Sequence, residues 1–420
     1  SELTHLLLQT IRADKVLSSG LLLQLGESQE RCIFFAEVKT FVSDESALKF
    51  AFDVKGASGT LPCMLCSNIV SRLSGLENYD ASDVLAGIHE TDVGKFRFRT
   101  DHNFAEAQPL LQARKATLNT GMFARLALSI GVNHNPLGVL AHGSLAPATT
   151  VMYDWLHIYL VTGLFQVEMG LLLPKLYAAG HSAASIHAFM DTFLWPHALN
   201  ARKKETLQCF EKRIQPGEFK ASASQSLNSY PLMRLFVLSL ADMDNDIRQA
   251  GKSFLSLCAV LDLLLQGNRG RQLAPEMLGQ LVRAHCDAFL VAHGPDHVIP
   301  KFHFALHLSF MLARHGSLIS CYTHERKHRH VKKIADQLHN PGDWFEKSVL
   351  ADVWGRALLD LDEEIISSKP RLLNPKRASD LLAAEIQTVF GDQFAQGTFA
   401  SLNAQFEPGR TCMRGDAVLL

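Results

Sequence analysis

The chain has 420 residues with a formal net charge of −1; 47% of the residues are hydrophobic and 20% are charged. This composition is that of a packed globular protein and excludes wholesale disorder, a collagen-like repeat and a coiled-coil rod. The nearly equal numbers of acidic and basic residues argue against a surface that is basic throughout, although a local basic groove is compatible with them. Nineteen histidines are many for this length, and because histidine is the commonest metal ligand, a metal site is the first functional hypothesis.

The chain begins at Ser1 without an initiator Met, and we expect from this a piece of a longer protein. Neither a basic leader nor a small-residue cleavage site marks a secretory signal. The most apolar stretch, 151–176, is interrupted by charged residues, so no membrane span is predicted. Only two of the eight cysteines have ligand spacing, unlike the dense pattern of disulfide-stapled domains. The sequence therefore predicts a soluble intracellular protein.

One strand is predicted near the N-terminus. Residues 31–42 are β-branched and aromatic and indicate a buried strand, after a helix over 3–18. Ser43 or Asp44 can cap the helix that follows. Because a lone strand leaves its backbone groups unpaired, it needs a partner, either an extended piece at 95–100 or strands that precede this chain.

The rest of the chain is predicted to be largely helical. A Gly- and Pro-containing loop covers 56–62, and residues 67–135 mix short helices with loops. The apolar periodicity then predicts helices over 154–176, 184–200, 230–242, 247–266, 275–293, 301–315, 345–366 and 378–390. The tail after the last helix is expected to fray.

Two pairs of residues have the spacing of metal ligands. Cys63 and Cys66 form a CxxC pair at a turn, where both thiolates can face one ion, and structural zinc needs four such ligands. His303 and His307 are the best candidates for the other half, because side chains four apart on a helix share a face. The alternatives are a metal-free or redox-active cysteine pair and two ordinary histidines of an amphipathic helix. The histidine pair lacks the Glu of a zincin protease, which disfavours a zinc peptidase.

Two further segments carry candidate functional groups. Five Lys or Arg and three His surround Glu325 within residues 321–333. This segment is either a solvated basic helix face or a carboxylate that ligates Mg²⁺ beside a phosphate backbone. Asp154 and His157 begin the most apolar helix. They are either a helix cap with a core histidine or functional groups in an apolar setting.

In their order along the chain, these motifs resemble the core of DDE/D transposases, closest to the CACTA (En/Spm) type. Residues 41–47 (Phe-Val-Ser-Asp-Glu-Ser-Ala) and the CxxC pair are similar to the family's Gly-Asp-x-Pro-Ala and Cys-x-x-Cys block. Residues 153–157 (Tyr-Asp-Trp-Leu-His) resemble its Phe-Asp-x-Met-His segment. The His303/His307 pair matches the histidines that complete the family's zinc site, and His-Glu-Arg at 324–326 resembles the unit with its last catalytic acid.

The sequence departs from this family at two places. Ser43 and Ser46 stand where the family has Gly and Pro. The family's first catalytic Asp lies on the first strand of an RNase H-like sheet, but Asp14 is the sole Asp before Asp44 and lies in a helical context. We therefore expect the C-terminal part of a transposase, or an inactive derivative.

The resemblance implies specific roles for these residues. Asp44 and Glu325 would be catalytic carboxylates that hold Mg²⁺ during two-metal phosphoryl transfer on DNA. A structural Zn²⁺ would bind Cys63, Cys66, His303 and His307. Further residues are candidates for lining the site or contacting DNA: Asp154, Trp155, His157, Arg326, Lys327, His328 and Lys332. The expected partners are DNA and a second copy of the chain, without a membrane, and the expected location is the nucleus.

The predicted fold class is mostly α with a small α/β part, a truncated RNase H-like core interrupted by a large all-helical insertion. The predicted divisions are a strand/helix segment with the CxxC loop (1–66), a helical insertion (67–300), the His- and Glu-bearing helices that return to the core (301–366) and a tail (367–420). The function is then DNA strand cleavage and transfer in the full-length protein, or zinc-stabilised binding of DNA or protein without catalysis. An unrelated helical scaffold whose Cys and His pairs never meet is the third alternative.

Overall fold

The computed structural model divides the chain into two compact units. The first comprises Ser1–Ile186 and Cys209–Tyr322, and the second comprises His187–Gln208 and Thr323–Leu420. The structure describes residues 1–13, 19–24, 31–35, 38–74, 85–143, 145–195, 203–211, 219–240, 244–321, 335–336, 343–360, 371–384, 399–401, 403–407 and 410–413.

The described part of the chain is mostly helical, as predicted. The α-helices are α1 Glu2–Ala13, α2 Glu45–Phe52, α3 Asp101–Lys115, α4 Thr120–Ile130, α5 Val139–His142, α6 Pro147–Thr150, α7 Trp155–Tyr159, α8 Leu164–Ala178, α9 Ala183–Asp191, α10 Lys203–Glu211, α11 Ala223–Ser239, α12 Asn245–Asn268, α13 Pro275–His293, α14 Pro300–Leu306, α15 Leu308–His315 and α16 Asp343–Asp360. Short 3₁₀ turns cover Gly56–Ser58, Arg72–Ser74, Val93–Lys95 and Pro295–His297.

The strands are short. They are β1 Leu21–Gln24, β2 Arg31–Phe34, β3 Phe41–Ser43, β4 Ile69–Val70, β5 Ala86–Gly87, β6 Val151–Tyr153, β7 Arg371–Leu373, β8 Lys376–Arg377, β9 Phe399–Ala400, β10 Asn403–Glu407 and β11 Arg410–Met413. In the first unit β1 pairs antiparallel with β2, and the pairs β3–β6 and β4–β5 are parallel. In the second unit β10 lies between β11 and β7, and β8 pairs with β9.

Helices α8, α12 and α13 form the core of the first unit. Helix α12 begins where the Asp244 side chain accepts a hydrogen bond from the backbone N–H of Ile247, an ordinary N-cap. Helix α13 has Pro275 at its first position, where the missing N–H is not needed. Phe254 on α12 and Phe289 on α13 are fully buried. The helices predicted over 247–266 and 275–293 are confirmed.

Two helical stretches, 155–178 and 245–268, are long and apolar enough to cross a membrane when judged by length and composition alone. More than half of the most apolar part of each stretch is buried inside the protein, as in the core helices of globular proteins.

The strand predicted over 31–42 is wrong in extent and in environment. It is two strands, β2 and β3, and Ile33 on β2 is 59% exposed. The partner of β3 is β6, with Phe41 opposite Val151 and Ser43 opposite Tyr153. A β-branched stretch fits a pleated surface, but the pairing partner decides where each strand begins and ends.

Several other predicted elements differ from the structure. The helix over 154–176 is preceded by β6 and broken between α7 and α8, and the helix over 301–315 is interrupted at His307. The stretch 67–300, predicted as all-helical, also contributes β4, β5 and β6. The segment after the helix predicted over 378–390, which is expected to fray, contains β9, β10 and β11. Local propensity and apolar spacing indicate helix or loop in these segments, but tertiary contacts determine where a helix is interrupted and where a short strand forms.

A buried ionisable cluster connects the core helices. Glu168 on α8 is fully buried, and its Oε1 accepts hydrogen bonds from the Ser253 hydroxyl at 2.5 Å and from His285 Nε2 at 3.0 Å. Its Oε2 lies 3.5 Å from His293 Nε2. Burial by itself raises the pKa of the Glu168 carboxyl, but the hydrogen bonds with His285 and His293 outweigh it and hold that pKa below its usual value.

We expect Glu168→Gln to lower the free energy of unfolding at neutral pH by about 1.5–3 kcal/mol, because it removes charge-assisted hydrogen bonds in the core. A carboxyl group with a lowered folded pKa contributes stability above its unfolded pKa of about 4.3 and loses it as the pH falls through the folded value. The difference between the wild type and the variant should therefore shrink below about pH 4 in urea unfolding. The control is Glu106→Gln, in an exposed pair with His102, which should change stability little at any pH. If Glu168→Gln and Glu106→Gln changed the free energy of unfolding equally, the stabilising role of the Glu168 hydrogen bonds would be contradicted.

Candidate metal centre and neighbouring carboxylates

The CxxC loop is fastened to the start of α2. The Glu45 side chain accepts a hydrogen bond from the backbone N–H of Ala57 at 2.7 Å. Gly56 has φ +64, and a Cβ at this position would collide with the Glu45 carboxylate. The left-handed φ favours glycine at this position. The loop that leads to Cys63 and Cys66 is thus held by the residue that follows Asp44.

Residues 97–99 line the other side of the CxxC loop. The Arg99 N–H donates to the Leu65 carbonyl at 2.8 Å, and the Ser67 N–H donates to the Arg97 carbonyl at 2.9 Å. The extended piece predicted at 95–100 therefore pairs with the CxxC loop and not with the strand over 31–42. Its backbone closes the loop around the two cysteines.

The prediction that the Cys and His pairs meet is confirmed. One ligand atom from each of Cys63, Cys66, His303 and His307 lies within 4.8 Å of the other three. His307 Nε2 is 3.3 Å from Cys63 Sγ, 3.5 Å from Cys66 Sγ and 3.0 Å from His303 Nε2. Ligands around one tetrahedral ion with bonds of about 2.0–2.3 Å are separated by similar distances. The four side chains could hold one metal ion.

The cluster is shielded from solvent. Its four side chains are at most 1% exposed. The rings of Phe96 and Tyr153 lie 6.0 and 5.9 Å from that of His307, and the Tyr153 hydroxyl is 3.4 Å from Cys63 Sγ. The His303 Nδ1 atom is buried and has no hydrogen-bond partner among the described residues. Uncompensated thiols and imidazoles are costly in such a setting.

The electrostatics of the cluster favour one thiolate. Burial by itself raises the pKa of the Cys63 thiol, but the hydrogen bond from Cys66 and the neighbouring His307 and His303 outweigh it and lower that pKa. The pKa of Cys66 is raised, first by this hydrogen bond to Cys63 and then by burial. Burial lowers the pKa of the His303 ring, although the neighbouring Cys63 opposes that shift. The half-buried guanidinium of Arg99 adds a positive charge beside both sulfurs.

Two aspartates follow the paired strands β3 and β6. Asp44 comes directly after β3 and caps α2, with its Oδ1 accepting from the Ala47 N–H at 2.6 Å. Asp154 comes directly after β6 and caps α7, with its Oδ1 accepting from the Leu156 N–H at 3.0 Å. Because the strands are parallel, both carboxylates lie at the same end of the pair, where ligands bind in α/β proteins.

His157 links these two aspartates. Its Nδ1 lies 2.5 Å from Asp154 Oδ2, and its Nε2 lies 3.8 Å from Asp44 Oδ2. The Asp154 side chain is fully buried, while those of His157 and Asp44 are 17% and 35% exposed. A buried carboxylate hydrogen-bonded to one ring nitrogen fixes the orientation of an imidazole. Of these two aspartates, Asp44 is the one whose carboxylate is partly exposed to solvent.

Lys301 packs against the same segment. Its ammonium donates to the carbonyls of His157, Val161 and Thr162 at 2.9, 2.7 and 2.9 Å. Burial lowers the pKa of Lys301, while Glu45, Asp44 and Asp154 oppose that shift by their charge. Lys301 lies two residues before His303, so the same short helix carries this cation and a candidate metal ligand.

Some of the predicted site residues lie in the described part of the chain and others do not. Trp155 is 1% exposed and belongs to the core. Glu325, Arg326, Lys327, His328 and Lys332 lie outside the described residues. Sequence analysis did not identify Glu45, Arg99 or Lys301 as part of the site, and it quoted Tyr153 only as part of a motif. Glu45 directly follows Asp44, and Lys301 lies two residues before His303. These positions were the sequence signal that could have identified both residues.

We expect the protein to bind one divalent metal ion per chain, and Cys63→Ser and His307→Asn each to abolish tight binding because each removes a ligand. Metal analysis after gel filtration measures the content. Binding to the folded state alone adds about 4 kcal/mol at a free metal concentration of roughly 1,000 times Kd, so chelation should lower Tm. Cys258→Ser, at a fully buried cysteine outside the cluster, should keep the metal. A metal-free wild type that is as stable with added zinc as without it would contradict the site.

No family model matches this sequence, and no curated protein matches it either. A fold alone does not specify a function, so the chemistry of these side chains provides the basis for a functional proposal.

Proposed function

We propose that the metal centre is a structural zinc site in a transposase-like protein that cleaves and transfers DNA strands in its full-length form. Two thiols and two imidazoles are the ligand set that zinc prefers, and four protein ligands leave no open position for catalysis. The buried cluster fits this role, because His303 and His307 on α14 and at its end are brought onto the CxxC loop. Zinc would hold α14 and that loop in register.

The main support for the DNA-directed part is the position of Asp44. It follows a strand of the parallel pair, and its neighbour Glu45 binds the CxxC loop. The Asp44 carboxylate is 35% exposed, and oxygen ligands of this kind suit Mg²⁺. Asp44 and Glu325 would hold this ion. When bound, Mg²⁺ would activate a water or a 3′-OH and stabilise the leaving oxygen at the phosphate.

Further side chains have supporting roles in the proposal. Asp154 fixes the His157 ring, and His157 Nε2 faces the Asp44 carboxylate. The basic residues Arg326, Lys327, His328 and Lys332 would neutralise DNA phosphates, which makes binding sensitive to salt. A second copy of the chain and a nuclear location belong to the same proposal.

A second candidate function is binding of DNA or a protein without catalysis, in a zinc-stabilised relative. One observation favours it. Both oxygens of the Asp154 carboxylate already have partners within the chain, the Leu156 N–H and His157 Nδ1. Asp154 is thereby suited to a structural role.

The test is nicking of supercoiled plasmid DNA by the zinc-loaded protein in its full-length form, with Mg²⁺ or Mn²⁺. We expect Asp44→Asn and Glu325→Gln each to reduce nicking by about 100-fold or more, because loss of a metal ligand removes several kcal/mol of transition-state stabilisation. Zinc content should stay unchanged in both variants. Asp296→Asn, at a side chain that is 78% exposed, is the matched control and should nick like the wild type.

The outcomes separate the two candidates. Nicking that survives both substitutions is contamination or another chemistry, and it contradicts the catalytic proposal. Salt-sensitive DNA binding by a zinc-loaded protein that does not nick in either metal supports the non-catalytic candidate. A tightly bound metal other than zinc overturns the structural zinc assignment, whatever happens to DNA.

A further inference from the structure

The turn between α7 and α8 is closed by one side chain from a distant part of the chain. An ammonium has three donors and no acceptor, and Lys301 directs them to the carbonyls of His157, Val161 and Thr162. The last carbonyls of a helix lack partners within it. A cation near a helix C-terminus is also favoured by the helix dipole. All three donors of Lys301 are therefore used on this turn.

The turn adopts a conformation that needs such support. Thr162 has φ +46, which is unfavourable for a β-branched residue. The next residue, Gly163, approaches the preceding helix so closely that a Cβ would collide with the backbone of Ile158 and Tyr159. Neighbouring contacts must hold a strained turn in place. In this structure the Lys301 contacts do so.

Lys301 also lies between the two candidate centres. Two residues further along α14, His303 joins the metal cluster. At the other end of the lysine contact, α7 carries His157, which is oriented by Asp154 and faces Asp44. Lys301 thereby connects α14 to α7 through the His157 carbonyl and to the turn after α7 through the carbonyls of Val161 and Thr162.

We propose that Lys301 is a positioning residue that sets the place of the Asp154–His157 segment relative to Asp44 from the helix that carries the metal ligands. Its effect on DNA cleavage rests on the proposed function, whereas its effect on the position of α7 does not. The sequence signal is a lysine two residues before the first histidine of an HxxxH pair, on a helix that starts with proline.

The test compares Lys301→Met with Lys175→Met in the metal-loaded protein. Lys175 is a matched control because its ammonium also binds a carbonyl, that of Ala292 at 3.3 Å, together with Asp246. We expect Lys301→Met to keep its metal but to accelerate amide hydrogen exchange across residues 155–163 by about tenfold or more. Backbone bonds such as Leu160 N–H to the Leu156 carbonyl report this opening. The ring signals of His157 should shift in the same variant. Lys175→Met should change neither.

Lys301→Arg provides a second variant if Lys301→Met does not fold. A planar guanidinium cannot reproduce a three-point ammonium contact, so we expect exchange and His157 signals between those of the wild type and an unsupported turn. Plasmid nicking should fall about tenfold or more in Lys301→Met, because small misplacements near a reacting centre are costly. Wild-type exchange and ring signals in both Lys301 variants would overturn the positioning role. A wild type that does not nick DNA would overturn the proposed function. The positioning role of Lys301 would then be decided by the hydrogen-exchange result alone.

Discussion

Two thiols and two imidazoles are buried together, although Cys63 and His307 are separated by 244 positions in the chain. Such groups tolerate burial only when they have partners. A shared metal ion would satisfy all four at once and would convert its binding free energy into folding free energy. The surrounding parts of the first unit depend on this constraint. The CxxC loop, the extended residues 97–99 and α14 are each held by contacts that lead back to it.

The carboxylates beside this cluster occupy two environments with different consequences. Asp154 is fully buried and accepts hydrogen bonds on both oxygens, so its charge is compensated within the protein. Asp44 caps α2 with one oxygen and is partly exposed. A partly exposed carboxylate at the end of a parallel strand is accessible to a cation or a phosphate-bound ion. Burial therefore confines Asp154 to contacts within the protein, whereas the Asp44 carboxylate can be reached from solvent.

The sequence predicted the metal site better than it predicted the strands. The spacing of Cys63 with Cys66 and of His303 with His307 is local, and ligand chemistry restricts which pairs can meet. The partner of β3 was missed because β6 lies in a stretch that is apolar enough to be taken as the start of a helix. Helices α12 and α13 were predicted well, since long periodic segments with caps at their ends need little tertiary information.

Sequence alone determined the helical character of the chain, the candidate ligands and the aspartate that follows a strand, because all three depend on side-chain type and spacing within a few residues. Only the tertiary structure decided that Asp154 lies beside Asp44, that His157 connects them and that Lys301 closes the turn after α7. These contacts join segments far apart in the chain. Their distances depend on the parallel pairing of β3 with β6 and on the packing of α14, which a local pattern does not encode.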